Sequence, residues 1–179
     1  MFELPSLRTT LSGWGSYPKQ VCTLLRPEKY RDLKAQGASC IARGQGRSYG
    51  DASLNQDQTV ILTERINRFL VFDKERGILT AEAGVTLAEI LDLILPAGWF
   101  LGVTPGTLAA SLGGCVAADV HGKNHLSAGS FSQYILALEL ITANGKRQLC
   151  TPTQKADLFW ATIGGMGLTG IIGTVVLKL

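Results

Sequence analysis

The order of predicted elements is typical of an α+β protein, with strands in small groups and few helices. Three observations predict this class. Hydrophobic residues make up 46% of the 179-residue chain, which is enough for a packed core. Most apolar segments are short and end at Gly, Pro or Asn, as strands do. The 21 glycines cluster in loops without a period. These features exclude a disordered chain, a collagen and a low-complexity repeat.

The chain up to about residue 63 is predicted to form a first lobe that is rich in strands. Its strands are expected at residues 21–25, 39–42 and 59–63. A helix is expected over residues 27–36, because Pro27 suits a helix start and Gly37 a helix end. A glycine-rich turn follows the second of these strands.

A second lobe is predicted from about residue 69 to residue 179. Asn144-Gly145 is a strong hairpin turn signal, and Thr86 with Glu89 forms the capping box of a helix over residues 86–95. A further short helix is expected over residues 157–163. Strands are predicted at residues 69–73, 78–83, 135–142, 146–150 and 171–179.

Charge and cysteine usage narrow the function classes. Lys and Arg number 17 against 14 Asp and Glu, and the resulting charge of +3 is scattered, so no nucleic-acid-binding surface is predicted. No zinc-binding spacing is present, which favours free thiols in a reducing cytoplasm. The four cysteines are Cys22, Cys40, Cys115 and Cys150.

No targeting or membrane-spanning segment is predicted. The first ten residues lack the apolar core of a signal peptide. The most apolar stretch, residues 90–103, is interrupted by Asp92, Pro96 and Gly98 and is too short to cross a bilayer.

The glycine loop at residues 42–52 follows a predicted strand and can form an anion-binding nest of backbone N–H groups. Arg43, Arg47 and Ser48 can add charged or hydroxyl donors. The alternative is an ordinary glycine-rich hairpin. The spacing matches neither a Walker A loop nor a Rossmann fingerprint.

Two further glycine loops allow close approach of the backbone to a ligand. Pro105-Gly106 leads into a helix of small residues that begins near Ser111, and residues 164–170 form the other loop. Tight packing of helix against sheet explains the first of these equally well.

The segment 121–125 (HGKNH) contains both histidines of the chain. A metal site is disfavoured, because His121 and His125 lack a third ligand, and the nucleophile elbow of a hydrolase is absent. His121 and Lys123 are candidates for stabilising negative charge on a ligand or orienting a substrate hydroxyl. The alternative is a polar loop with satisfied histidines.

These three glycine loops and the segment that carries HGKNH, with few carboxylates among them, predict a large, extended ligand that is held mainly by backbone groups. A dinucleotide with a flat ring fits this pattern better than a small metabolite.

Several motifs together resemble the FAD-binding domain of vanillyl-alcohol-oxidase (PCMH-type) flavoproteins. The resemblance runs from about Gly13 to the last residue, and HGKNH is its most specific part. The other motifs are ARGQGRSYGD at 42–51, PGT at 105–107, the glycine pair at 113–114, SAGSF at 127–131, LFWAT at 158–162 and the loop at 164–170.

The resemblance implies two α+β lobes, about 13–63 and 69–179, built on small mixed sheets with flanking helices and with FAD between them. It implies a loop that wraps the diphosphate: Ala42, Arg43, Gly44, Gln45, Gly46, Arg47, Ser48, Tyr49, Gly50, Asp51 and Ala52. It implies that the rest of the cofactor contacts Gly106, Ser111, Leu112, Gly113, Gly114, Ala118, Asp119, Val120, His121 and Ile172.

The resemblance also implies chemistry. His121 would lie beside the flavin ring and Lys123 on the substrate side. The implied reaction is oxidation of the 2′ secondary hydroxyl of a polyprenylphosphoryl ribose to a keto sugar. An alditol or aldonolactone oxidase and a non-redox nucleotide-binding module are the alternatives.

Two departures from the family pattern shape the expectation. Arg47 stands where some relatives carry a flavin-linked histidine, so non-covalent FAD is expected. A C-terminal substrate domain, which follows this domain in the family, is expected to be missing from the chain. The protein is expected in the cytoplasm, with a peripheral position at a membrane surface as the alternative.

Overall fold

The computed structural model describes residues 5–35 and 39–179. Its described strands form two separate sheets, and the chain passes from the first to the second between Leu62 and Phe69. No helix of the described chain is both long and apolar enough to cross a membrane.

The first sheet is mixed and has the strand order β1-β2-β4-β3. β1 pairs antiparallel with β2, whereas β4 pairs parallel with both β2 and β3. The strands are β1 (Ser6–Ser12), β2 (Lys19–Leu25), β3 (Cys40–Arg43) and β4 (Thr59–Leu62).

The second sheet is antiparallel throughout and has the order β5-β6-β9-β7-β8. β9 lies at its centre, and four of its eight residues are apolar and fully or almost fully buried. The strands are β5 (Phe69–Asp73), β6 (Ile78–Glu82), β7 (Ile135–Ile141), β8 (Arg147–Cys150) and β9 (Ile171–Lys178).

The longest helix of the described chain, α1, begins with the predicted capping box: the Thr86 side chain accepts from the Glu89 N–H, and the Glu89 carboxylate accepts from the Thr86 N–H at 2.7 Å. Its apolar face is buried at Leu87, Ile90, Leu91 and Ile94. The helices are α1 (Leu87–Ile94), α2 (Leu112–Ala117), α3 (His125–Ala128) and α4 (Ala156–Thr162).

The predicted α+β class is confirmed, and so are the predicted strands and the helices over 86–95 and 157–163, apart from small shifts at their ends. β1 has no counterpart among the predicted strands. This strand has only two apolar residues, Leu7 and Leu11, which are too few to show the alternating pattern of a strand. Leu7 on this edge strand is 62% exposed. The helix of small residues predicted to begin near Ser111 is α2, whereas α3 has no predicted counterpart, because its four residues are too few to show a 3.6-residue repeat.

The helix predicted over 27–36 is wrong. The described part of that segment contains only a 3-10 turn, Tyr30–Asp32, and Leu33 is extended. Gln36 and Gly37 lie outside the described residues. Pro27 is buried, and Tyr30 and Leu33 pack into the core. The carbonyl groups of Tyr30 and Leu33 accept hydrogen bonds from Arg147 on β8.

Three apolar clusters hold the structure together. The largest cluster packs α1, α2 and α4 against the second sheet, whereas Cys22, Ile41 and Val60 form a small cluster in the first sheet. A third cluster joins the two lobes, and its buried members are Leu33, Ile61, Ile66, Ile141 and Ile171.

A polar contact next to this third cluster also joins the lobes. The Tyr30 hydroxyl donates to the Glu139 carboxylate, and Arg147 donates to the same carboxylate at 3.0 Å. The Arg147 guanidinium lies 4.5 Å from the centre of the Tyr30 ring and donates to the Tyr30 carbonyl at 3.0 Å. We call Tyr30, Glu139 and Arg147 the lobe anchor.

Gly173 on β9 makes room for the lobe anchor. A β-carbon at this position would lie 2.3 Å from the Tyr30 hydroxyl oxygen, which is closer than non-bonded atoms approach. The anchor therefore depends on a glycine in the central strand of the other lobe.

Burial and the hydrogen bond to Glu139 raise the pKa of the Tyr30 phenol. A group whose pKa is raised by folding stabilises the fold below its unfolded pKa, near 10 for tyrosine, and loses that contribution as pH rises. We therefore expect the free energy of unfolding to fall more steeply above about pH 10 in the parent than in Tyr30→Phe. Urea unfolding at a series of alkaline pH values measures this difference.

Tyr17→Phe is the matched control, because Tyr17 is 81% exposed. It should keep the slope of the parent. Parallel curves for the parent and Tyr30→Phe would contradict the expected role of the phenol.

Candidate FAD-binding cleft

A cleft of about 580 Å³ opens between the two lobes. First-lobe loop residues form one wall, and α2 with the turns before and after it forms the other. A smaller cavity of about 70 Å³ adjoins the cleft and shares several of its residues. A volume of this order suits an organic cofactor.

The first wall is the glycine loop that follows β3. Residues 44–49 line the cleft, so backbone groups as well as the Arg47 side chain face it. The Arg47 guanidinium lies 5.2 Å from the centre of the Trp14 ring. The backbone N–H of Trp14 donates to the Ser48 carbonyl at 2.8 Å. The wall therefore combines an exposed cation with an exposed aromatic ring.

Arg43 holds this loop by hydrogen bonds from outside the cleft lining. Its guanidinium donates to the Ser53 hydroxyl at 2.9 Å and to the Ser12 carbonyl at 2.7 Å. Partial burial lowers the pKa of Arg43. Because its donors are used within the first lobe, Arg43 ties the loop to β1 and lies outside the cleft lining.

The second wall is the start of α2. Ser111 caps this helix, since its hydroxyl accepts from the Gly114 N–H at 3.3 Å. The N–H of Gly113 donates to the Ala83 carbonyl at 2.8 Å, so α2 is bound to the end of β6. Gly114, which has no side chain, and Ala118, which has only a methyl group, line the cleft.

The turn after α2 carries His121 to the cleft. Asp119 holds this turn, because its carboxylate accepts from the Ser132 N–H and the Ser130 hydroxyl, both at 2.9 Å. His121 forms an isolated β-bridge with Ser130 and lines the cleft. The ring of His125 lies 5.4 Å from that of His121.

Most of the residues predicted for the site line the cleft or the smaller cavity. Of the predicted residues, all of them described, six line neither: Arg43, Gly50, Asp51, Leu112, Asp119 and Lys123. Leu112 is fully buried in the core, whereas Lys123 is exposed outside the cleft. The motif thus brings His121 to the cleft and leaves Lys123 facing solvent.

Sequence reasoning missed several lining residues. The family resemblance begins at about Gly13, so the neighbouring Trp14 could have been considered as a site residue. Met166 lies in the glycine loop at 164–170 and could have been considered for the same reason. The small residues carry no signal of their own. The missed residues are Trp14, Ser53, Thr63, Ala83, Pro105, Thr107, Ala110, Cys115, Ala117, Met166, Gly167 and Gly170.

The chemistry of the cleft suits an anionic, extended ligand. The described residues that line it include Arg47 and His121 but no Asp or Glu. Burial raises the pKa of the Cys115 thiol to about 12, so this lining cysteine is a neutral thiol at ordinary pH. In residues 5–35 and 39–179, no group of three His, Cys, Asp or Glu side chains is arranged to hold a metal ion.

A family model described as "FAD binding domain" matches residues 28–151. The chain belongs to this family. The predicted family and the predicted cofactor, FAD, are confirmed by this match, which covers the glycine loop after β3, α2 and the turn that carries His121. The backbone-rich, carboxylate-free cleft of this FAD-binding domain fits a dinucleotide with a diphosphate.

Two relatives that this FAD-binding domain matches are named as oxidases. Decaprenylphosphoryl-beta-D-ribose oxidase from Mycolicibacterium smegmatis is 41% identical over 95% of this chain and 39% of its own length. L-gulonolactone oxidase from Bos taurus is 30% identical over 75% of this chain and 30% of its own length. The chain therefore spans about two fifths of the first relative.

The two walls of this FAD-binding domain touch at Gly44. A β-carbon there would lie 2.1 Å from the Ser111 hydroxyl oxygen. We expect Gly44→Ala to push the first-lobe loop away from α2 and to lower the free energy of unfolding by about 1–3 kcal/mol, as overpacking does. Urea unfolding measures the change.

Gly106→Ala is the matched control, because Gly106 also lines the cleft but a β-carbon there meets no atom within 4 Å. Adding Ser111→Gly to Gly44→Ala should recover part of the lost stability. A Gly44→Ala protein as stable as the Gly106→Ala protein would refute the close contact.

Proposed function

We propose that this domain binds FAD for an oxidoreductase that converts the 2′ secondary hydroxyl of a polyprenylphosphoryl ribose to a ketone. The observation that carries the proposal is the 41% identity to decaprenylphosphoryl-beta-D-ribose oxidase over 95% of the chain. The cleft supports it, since its lining offers backbone donors, a cation and a histidine in one continuous surface.

The loop at residues 44–49 and the start of α2 are the proposed cofactor-binding surfaces. Arg47 is the proposed partner of the FAD diphosphate, because it is the one arginine among the described residues that line the cleft. The backbone N–H groups of the glycine loop would add donors to the same anion.

FAD, when bound, supplies a two-electron acceptor for the hydride of an alcohol carbon. His121 is the proposed partner of the substrate hydroxyl, because it lines the cleft and is exposed. Lys123, exposed nearby in sequence, is proposed to stabilise negative charge on the substrate side. The remaining substrate contacts are proposed to come from a further domain of the whole protein.

An aldonolactone oxidase is the second candidate function, and the 30% identity to L-gulonolactone oxidase is the observation in its favour. The two candidates differ in substrate, since one is a lipid-linked phosphosugar and the other a small lactone. Reduction of enzyme-bound FAD in the whole protein, tested with each substrate class in the absence of oxygen, distinguishes them.

We expect FAD to be held without a covalent bond. The neutral Cys115 thiol is no nucleophile at ordinary pH, and Arg47 cannot form the histidyl link known in some relatives. After addition of FAD and removal of unbound FAD by gel filtration, the purified chain should keep a flavin spectrum, and acid precipitation should leave the yellow colour in the supernatant. Colour in the pellet would contradict non-covalent binding.

We expect Arg47→Ala to weaken FAD binding by about 1.5–3 kcal/mol, which is the range for a hydrogen bond to a charged group. Titration of flavin fluorescence measures the dissociation constant. Arg76→Ala is the matched control, because Arg76 lies in the β5–β6 turn, outside the residues that line the cleft. Equal affinities for the two variants would refute the role of Arg47.

A further inference from the structure

Met166 lies in the loop between α4 and β9, at the junction of the cleft and the smaller cavity. Seven of the described residues line both the cleft and the smaller cavity, and among them only Met166 has a side chain larger than that of serine. The full set is Gly44, Ser48, Ala52, Ser53, Gly114, Ala118 and Met166. Met166 is thus the one long side chain at a junction whose other described lining residues are glycine, alanine or serine.

The backbone holds Met166 in an unfavourable conformation. Its φ is +51°, in the left-handed region that residues with a β-carbon rarely adopt. The Met166 N–H donates to the Ala117 carbonyl at 2.8 Å, and the Gly164 N–H donates to the Val116 carbonyl at 3.1 Å. Hydrogen bonds to α2 therefore impose this conformation.

Glycine would adopt this conformation without strain, and the chain has glycine on both sides, at Gly165 and Gly167. A side chain kept under backbone strain at a ligand cleft points to a functional role. The Met166 side chain is 46% exposed, so it has apolar surface left to bury.

We propose that Met166 is a cofactor-contact residue whose thioether packs against a flat heteroaromatic ring of FAD. The inference rests on the proposed function of the cleft. A flexible, polarisable thioether suits the face or edge of an aromatic ring, and the small residues around it let such a ring come close. The adenine and the isoalloxazine share this chemistry.

The test separates the side chain from the backbone of the loop. Met166→Gly and Met166→Ala both remove the thioether, but only glycine relieves the strain. We expect both variants to raise the FAD dissociation constant about tenfold, as loss of a partly buried apolar side chain does. Met166→Leu restores apolar bulk and should stay within about threefold of the parent.

Thermal unfolding without FAD distinguishes a contact with FAD from a purely structural role. If the role were purely structural, FAD affinity would follow the melting temperature of each variant. Met166→Gly should melt at or above the temperature of Met166→Ala, because glycine tolerates the left-handed backbone. The loss of FAD affinity should then be similar in two variants of different stability.

Lys155 provides the matched control. It also has a left-handed backbone, with φ of +53°, but it is exposed and lies outside the lining of both cavities. Lys155→Gly and Lys155→Ala should leave the FAD dissociation constant unchanged, whatever they do to the melting temperature.

Competition with ADP and titration with FMN identify the ring. Weaker binding of ADP by Met166→Gly assigns the thioether to the adenine, and weaker binding of FMN assigns it to the isoalloxazine; either result supports the contact. Parental FAD affinity in Met166→Gly would overturn the inference and leave the proposed function intact. Failure of the parent chain to bind FAD would overturn both.

Discussion

The close approach of the two lobes is the constraint on which the rest of the structure depends. An apolar cluster that includes Leu33 and Ile171, together with the lobe anchor, holds the two sheets together on one side. Gly44 meets Ser111 on another side. The space between these contacts is the cleft, so its width follows from how tightly the lobes pack.

Small residues serve both packing and binding in this architecture. Ser111 caps α2, limits the approach of Gly44 and lines the cleft, and Gly113 brings α2 against Ala83. The walls are also held by bonds of their own, such as those of Arg43 and Asp119. A cleft whose walls are positioned in advance loses less conformational entropy when a ligand binds.

Membership of the FAD binding domain family indicates which ligand the cleft binds. The match covers the loop after β3, α2 and the turn that carries His121. These three segments meet at the cleft, where the described lining residues present a cation, a histidine and backbone groups but no carboxylate. An anionic dinucleotide is the ligand that such a surface favours over a cationic or purely apolar one.

The sequence alone determined the α+β class, the capping box at Thr86, the hairpins and the glycine loops, because each depends on residues close together along the chain. It also indicated His121 through the HGKNH motif. Only the tertiary structure decided that Arg43 and Asp119 brace the walls from outside and that Trp14 and Met166 line the cleft. It also replaced the helix predicted at 27–36 with a single turn. The physical reason is that these outcomes depend on partners far along the chain, such as Arg147 for Tyr30 and Ala117 for Met166, which local patterns do not encode.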